Sequence, residues 1–229
     1  MSEESKKELA EGIGKVAEKA LDFIEKVIAG PVIEGTGILT DKIQFIRFKN
    51  KVEIITKAIE FLEKKGIKTP KEIPVKDLTT LLENASFEKD EVMQDCWANL
   101  LANTLSPENT FNVCHIFSQI LNQLSISEII VLNYMFINCF QISSEHRPYF
   151  EKRDLIRKCP SDFNSGILII DNLLRLRLIE EEPPRLIEKI KEDTGNFDLK
   201  VIKTELVASE NYRLSKFGIE LLNQILKDK

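Results

Sequence analysis

The chain has 229 residues, 43 % of them apolar and 30 % charged. This is the make-up of a folded globular chain, and it excludes a disordered or membrane-type composition. With 32 Lys/Arg against 37 Asp/Glu the net charge is −5, so no overall electrostatic pull draws the chain to phosphate backbones, and sequence-blind nucleic-acid coating is disfavoured.

Helical periodicity dominates the first half. Leu9, Ile13, Val16, Ala20, Phe23 and Val27 recur at steps of three and four, which predicts an amphipathic helix over Lys6–Ala29 that stops at Gly30-Pro31. Two glycines, Gly35 and Gly37, in the following Val32–Leu39 stretch leave its structure open. Thr40 or Asp41 caps the next predicted helix, Lys42–Lys65. Ile43, Ile46, Val52, Ile55, Ile59 and Leu62 mark its buried side, and Gly66 follows as the C′ residue. Pro70 and Pro74 make Ile67–Val75 an extended connector, and a short helix over Lys76–Glu83 follows. Ser86 is expected to open the next helix, with Glu88, Asp90 and Glu91 in its first turn. That helix runs to Leu105, and Ser106-Pro107-Glu108-Asn109 ends it. Phe111–Gln123 is one more amphipathic helix.

Ser125 and Glu128 have the spacing of a capping box, and the helix behind them, Ser127–Cys139, is apolar on most sides. Lys152–Lys158 and Asp162–Leu176 read as helices joined by a Cys159-Pro160-Ser161 turn. Leu178–Glu180, Phe197–Leu206 and Asn211–Leu214 read as strands, with a charged insert over Glu181–Asn196 and a closing helix over Lys216–Leu226. The resulting expectation is a mainly α protein. A helical domain over residues 1–124 precedes a winged-helix-like α+β domain with a small antiparallel sheet over residues 125–229. In its closing run, Ser215 supplies a cap and Gly218 allows close backbone packing.

The chemistry-bearing residue types are sparse. His115 and His146 are the only histidines, and no further ligand lies at zinc spacing, so no metal site is expected. Gly30 to Gly37 imitates the glycine spacing of a phosphate loop. It lacks the Lys-Ser/Thr pair, and Pro31 and Glu34 oppose phosphate. No nucleophile motif is present, and Asp90/Glu91 are explained by a helix N-terminus. No cofactor and no catalytic residue are expected. The four cysteines, Cys96, Cys114, Cys139 and Cys159, form no C-x-x-C clip and read as reduced core residues in a cytoplasmic protein. The N-terminus lacks a signal-peptide layout. The most apolar run, Ile129–Phe140, is twelve residues long, against the roughly twenty a membrane span needs.

Three binding surfaces are weighed. The predicted recognition helix at Asp162–Leu176 carries Asp162 and Asp171 and gains Arg175 only near its end, and Glu180-Glu181-Glu182 begin the wing. Both are the wrong sign for a phosphate backbone. Between Asp41 and Lys68 there are eight Lys/Arg against four Asp/Glu, with Arg47, Lys49 and Lys51 as the cluster. This surface suits an acidic partner, RNA or lipid headgroups, or is a solvated helix face. The N-terminal helix has balanced charges, which favours core packing over an interfacial membrane role.

Asp41–Asn50, Leu81-Leu82-Glu83-Asn84-Ala85-Ser86-Phe87-Glu88, Trp97-Ala98-Asn99-Leu100-Leu101-Ala102-Asn103 and Phe117–Ser125 together resemble the bacterial abortive-infection alpha (Abi-alpha) family, from about residue 30 onward. The resemblance implies a role in phage defence, in which infected cells die or stop growing, and it carries over no catalytic residue. Trp97 reads as a core anchor. Glu83 and Asn99, polar residues beside that core, close helix ends or form a specific contact. The candidate interaction surface is Arg47, Lys49, Lys51, Glu83 and Asn99. The expected function is a non-enzymatic interaction or effector protein of antiphage defence, with a protein partner or a second copy as its ligand. The alternatives are a nucleic-acid-binding regulator using the winged helix and the Arg47–Lys51 patch, and a membrane-acting effector whose N-terminal helix inserts conditionally.

Overall fold

Helix α1 covers Lys42–Lys64. Its buried positions, Val52, Ile54, Ile55, Ala58, Phe61 and Leu62, form the stripe that a 3.6-residue period requires. The structure is a computed structural model and describes residues 14–16, 18–20, 22–23, 26, 42–109, 114–140, 147–160, 162–191 and 201–226. The described positions between 14 and 26 are helical, and Ala20 among them is buried. The remainder of the predicted first helix, the glycine-containing stretch after it, the start of the Phe111 helix, His146 and the start of the Phe197 strand lie outside the described residues.

Helix α1 ends as Gly66 predicts. Gly66 has φ +72, its N–H donates to Glu63 O at 2.9 Å, and the Ile67 N–H donates to Leu62 O at 2.9 Å. This is the double closure in which a left-handed residue satisfies the last carbonyls, a conformation glycine adopts without a Cβ penalty. The connector then leads to α2, Val75–Ala85, which buries Leu78, Leu81 and Ala85.

Ser86 does not open the next helix. It follows the last turn of α2, with its N–H bonded to Glu83 O, and its hydroxyl donates to the same carbonyl at 2.7 Å. The cap of α3, Glu91–Leu105, is Asp90, whose Oδ1 accepts from Val92 N at 2.9 Å and Met93 N at 3.1 Å. Both residues are good N-caps by type. The difference is that Glu88 turns the chain between them, its Oε1 accepting from Lys89 N and Asp90 N.

Helix α3 is the centre of this region. It packs on α1, α2 and α4 (Cys114–Leu121), and Trp97 is fully buried in it, as its apolar neighbours predict. Its buried polar groups are bonded. Gln94 Nε2 donates to Glu88 O, and Thr104 Oγ1 to Leu100 O.

The chain folds as two compact units. The first is Met1–Ile126 with Leu221–Lys229, and the second is Ser127–Glu220. The second contains α5 (Ile126–Phe140, apart from its first residue), β1 (Phe150–Glu151), α6 (Lys152–Lys158), α7 (Phe163–Arg175), β2 (Ile179–Glu181), β3 (Arg185–Lys191), β4 (Val201–Val207), β5 (Asn211–Leu214) and the first turn of α8 (Lys216–Ile225). Strands β1, β5 and β2 form one antiparallel sheet in that order, and β3 and β4 form a separate two-stranded one. The protein is thus mainly helical with small antiparallel sheets.

Two features of this unit differ from the sequence expectation. The two-residue strand β1 is added at the sheet edge, with Phe150 opposite Tyr212. The charged insert, for which no element is predicted, also contains a strand. Its Arg185–Lys191 part is β3, paired residue for residue with β4 from Arg185↔Val207 to Lys191↔Val201. Charged and apolar residues alternate in it only in part, because Ile187-Glu188 breaks the period, so the pairing with β4 rather than a local pattern makes it a strand. Gly218 meets its expectation. A Cβ there would stand 2.1 Å from Leu178 O, so only glycine lets the start of α8 lie against that backbone. Ser215 caps α8 by accepting from Gly218 N at 2.8 Å.

Candidate functional site

Three of the five candidate residues meet. Arg47 and Lys51 lie one turn apart on α1, the spacing that puts two side chains on one helix face. Glu83, in the last turn of α2, takes both. Arg47 Nη2 bonds to its Oε2 and Lys51 Nζ to its Oε1. Arg47 Nε also donates to Ser86 Oγ at 3.1 Å, and Asn50 Nδ2 donates to Ser86 O at 2.9 Å. The end of α2 and the turn after it are therefore held to α1 by four polar contacts. The hydrogen bond from Lys51 is the chief cause holding the Glu83 carboxyl below the usual carboxylate range. The Lys51 and Arg47 charges add to it, and partial burial opposes it. Glu83 is 46 % exposed. Pairs of that exposure are worth about 0.2–1 kcal/mol, so what the cluster chiefly supplies is position.

Phe87 is what it positions. The Arg47 guanidinium lies 4.7 Å from the Phe87 ring centroid, and the ring is 63 % exposed. A planar cation stacked on a ring face is a favourable contact. Here the cation is itself tied down by Glu83 and Ser86. The result is an aromatic side chain displayed at the surface on a braced support, next to the cation that braces it. In the sequence Phe87 stands out only as part of the family-like run, because its exposure depends on how α2 and α3 pack. Asn50 is a further member that sequence reading does not single out; its place on the buried side of a cationic helix was the available signal.

Lys49 and Asn99 stand apart from this cluster. Lys49 is exposed and borders an open cavity of about 540 Å³ with Ile46, Glu53, Lys89 and Glu91. Asn99 is buried in α3, and its Nδ2 donates to Ile225 O at 3.2 Å. Asn103 Nδ2 donates to Gln224 O at 2.8 Å, and Asn109 Nδ2 to Gln224 Oε1 at 2.8 Å. The carbonyls at a helix C-terminus have no partner within the helix, and here carboxamides supply it for α8. The expectation that a polar residue beside the Trp97 core closes a helix end therefore describes Asn99. The helix it closes is the last one, more than a hundred residues away in sequence.

The acidic run Glu180-Glu181-Glu182 is also engaged. Glu180 Oε1 accepts from Arg213 Nε at 2.6 Å and faces Arg147 Nη1 at 3.0 Å. Glu182 accepts from Ser209 Oγ and Asn211 Nδ2, both at 2.7 Å, and from Arg185. Glu181 is exposed. On α7 the outward positions include Phe163, Leu168, Asp171 and Arg175. The four cysteines are buried and unbridged. Burial raises the thiols of Cys114, Cys139 and Cys159 above their ordinary value. Among the described residues no group of three or more His, Cys, Asp or Glu could hold a metal ion. No single described helix is long and apolar enough to cross a membrane.

Comparison with curated proteins and with solved structures finds no match. The family model for abortive infection alpha matches residues 40–225, a span that contains Arg47, Phe87, Trp97 and the whole α3 core. On that match the chain belongs to the abortive infection alpha family, and the family implies a role in abortive infection.

Proposed function

We propose that this protein is a cytoplasmic, non-enzymatic effector of abortive infection, and that it works by binding a protein partner and changing conformation. The observation that carries this reading is the exposed Phe87 ring, stacked under an Arg47 that Glu83 and Ser86 hold in place. Aromatic and arginine side chains that are rigid before contact lose little entropy on binding, and they dominate protein–protein hot spots. Two of the three clustered cations, Arg47 and Lys51, are paired with Glu83. That supports a protein partner over the nucleic-acid regulator, which would need them for phosphate.

The second unit is read as winged-helix-like. The order helix, strand, two helices, strand, hairpin, strand, helix supports this, as does the β1–β5–β2 sheet. Its α7 presents Phe163, Leu168 and Asp171 outward, a face suited to protein rather than to a DNA groove. Buried, unbridged cysteines are in keeping with a reducing compartment.

The test is phage challenge of cells expressing Phe87→Ala or the wild-type chain, at low and high phage-to-cell ratios. Wild type is expected to protect cultures at the low ratio and to arrest growth with little phage release at the high ratio. Phe87→Ala is expected to lose both while keeping its helical circular dichroism, because the ring is mostly in solvent. A folded Phe87→Ala chain that protects like wild type overturns the Phe87 surface. A salt-sensitive shift with DNA or RNA that Arg47→Ala abolishes would transfer the reading to the nucleic-acid regulator.

A further inference from the structure

The β3–β4 hairpin ends its own sheet. Seven residue pairs join its strands, and among the described residues β4 pairs with β3 alone. Leu186 and Leu206 are directly opposite each other, and they are 70 % and 67 % exposed, with Val207 also exposed. A two-stranded ribbon is marginally stable in water, and an unpaired strand edge is a template for another strand.

The sequence of β4, Val201-Ile202-Lys203-Thr204-Glu205-Leu206-Val207, is complementary to itself when run antiparallel about Thr204. Val201 then faces Val207 of a second copy, Ile202 faces Leu206, Lys203 faces Glu205, and Thr204 faces Thr204. Each unlike pair occurs twice under a two-fold axis. Apolar, opposite-charge and Thr–Thr pairs are the favourable cross-strand combinations. The neighbouring registers are not. A slip of two residues either way puts Lys203 against Lys203 or Glu205 against Glu205, and a slip of one turns the Ile202–Leu206 face over. The β3 edge fails the same test. Run against itself about Glu188, Arg185-Leu186-Ile187-Glu188-Lys189-Ile190-Lys191 opposes Arg185 to Lys191 twice and Glu188 to Glu188.

We propose that β4 is a self-recognition edge through which two copies of this chain join, antiparallel about Thr204, into a continuous four-stranded sheet. Such a contact is isologous and closes as a dimer rather than a filament. In register it places Leu186, Leu206 and, from the second copy, residues 202 and 190 at successive positions across the four strands. It does not depend on the Phe87 reading, which concerns a different unit and a different ligand.

Charge variants test it without damaging the hairpin. Within one chain Lys203 is opposite Lys189 and Glu205 is opposite Ile187, so Lys203→Glu removes a like-charge pair from the hairpin while placing two in the dimer. Sedimentation velocity of the full chain over about a hundredfold range of concentration is the measurement. Wild type is expected to pass from monomer to dimer. Lys203→Glu or Glu205→Lys alone is expected to raise the dissociation constant about tenfold or more. An equimolar mixture of the two single variants is expected to dimerise again, as is the Lys203→Glu/Glu205→Lys double variant, because both restore opposite charges across the axis. A wild type that stays monomeric throughout overturns the proposal. So does a dimer that either single variant leaves unchanged, or a mixture that fails to recover.

Discussion

Along α3, eleven of fifteen residues are buried, and Gln94, Asn99 and Thr104 among them all find carbonyl partners. On the β3–β4 hairpin, by contrast, the register pair Leu186 and Leu206 stands mostly in solvent. The helix is held by what surrounds it, and its polar groups are tolerated because each is bonded. The hairpin has no such surroundings among the described residues of its sheet, and it is held at its base. There Glu182 gathers Ser209, Asn211 and Arg185, and its own N–H donates to Asn211 O at 2.8 Å. One region gets stability from burial and the other from a polar clamp, so the two should respond to different perturbations.

The largest expected effect is at α3. Trp97→Ala removes the largest fully buried side chain and is expected to cost about 3–5 kcal/mol. That is a large part of the roughly 5–15 kcal/mol that holds a domain together. Urea unfolding followed by circular dichroism measures it, and a loss under about 1 kcal/mol would break the contrast between the two regions.

Gly218→Ala comes next. The new Cβ would collide with Leu178 O, a backbone atom that already accepts from Ser215 N at 3.0 Å and cannot swing away as a side chain would. A cost of about 1–3 kcal/mol is expected, the range for forced overpacking. Nuclear magnetic resonance should show shifts concentrated at β2, β5 and the start of α8, and unchanged shifts there would contradict the close approach.

The smallest effect is a pH dependence of the hairpin alone. Hydrogen bonds from Ser209 and Asn211, with Arg185 behind them, hold the Glu182 carboxyl below the usual carboxylate range. A depressed acid stabilises the folded form above its unfolded value, about 4.3 for glutamate, and that contribution is lost as pH falls through the lower folded value. Amide shifts of β3 and β4 are therefore expected to hold steady from neutral pH down to the ordinary glutamate range and to move below it. Glu182→Gln should remove that step and leave α3 untouched.

Local patterns in the chain were enough for most elements. Lys152–Lys158 and Asn211–Leu214 have the predicted bounds. The first helix of the described core is one residue shorter than its periodicity suggested, and Gly66 stops it as expected. The Ser86 expectation failed because two good caps stand four residues apart and only the turn made by Glu88 chooses between them. Strand β1 was illegible because two residues carry no period; it exists only where β5 is there to receive it. In the candidate site, the cations and the carboxylate were each visible, but not their meeting. Glu83 lies 36 residues from Arg47 and 32 from Lys51, and nothing local encodes that distance.

By itself, the amino-acid sequence determined the helical periods, the glycine stop at the end of α1, the need for glycine at position 218, the Trp97 core and the family resemblance. All of these are set by residue type and short-range spacing, through backbone sterics and the burial of apolar faces. Only the tertiary structure decided that Glu83 draws Arg47 and Lys51 together with Arg47 over an exposed Phe87, that Asn99 closes the last helix, and that the charged insert holds a strand. Each depends on which distant surface a side chain meets, and the energy of that meeting is set by packing rather than by neighbours in the chain.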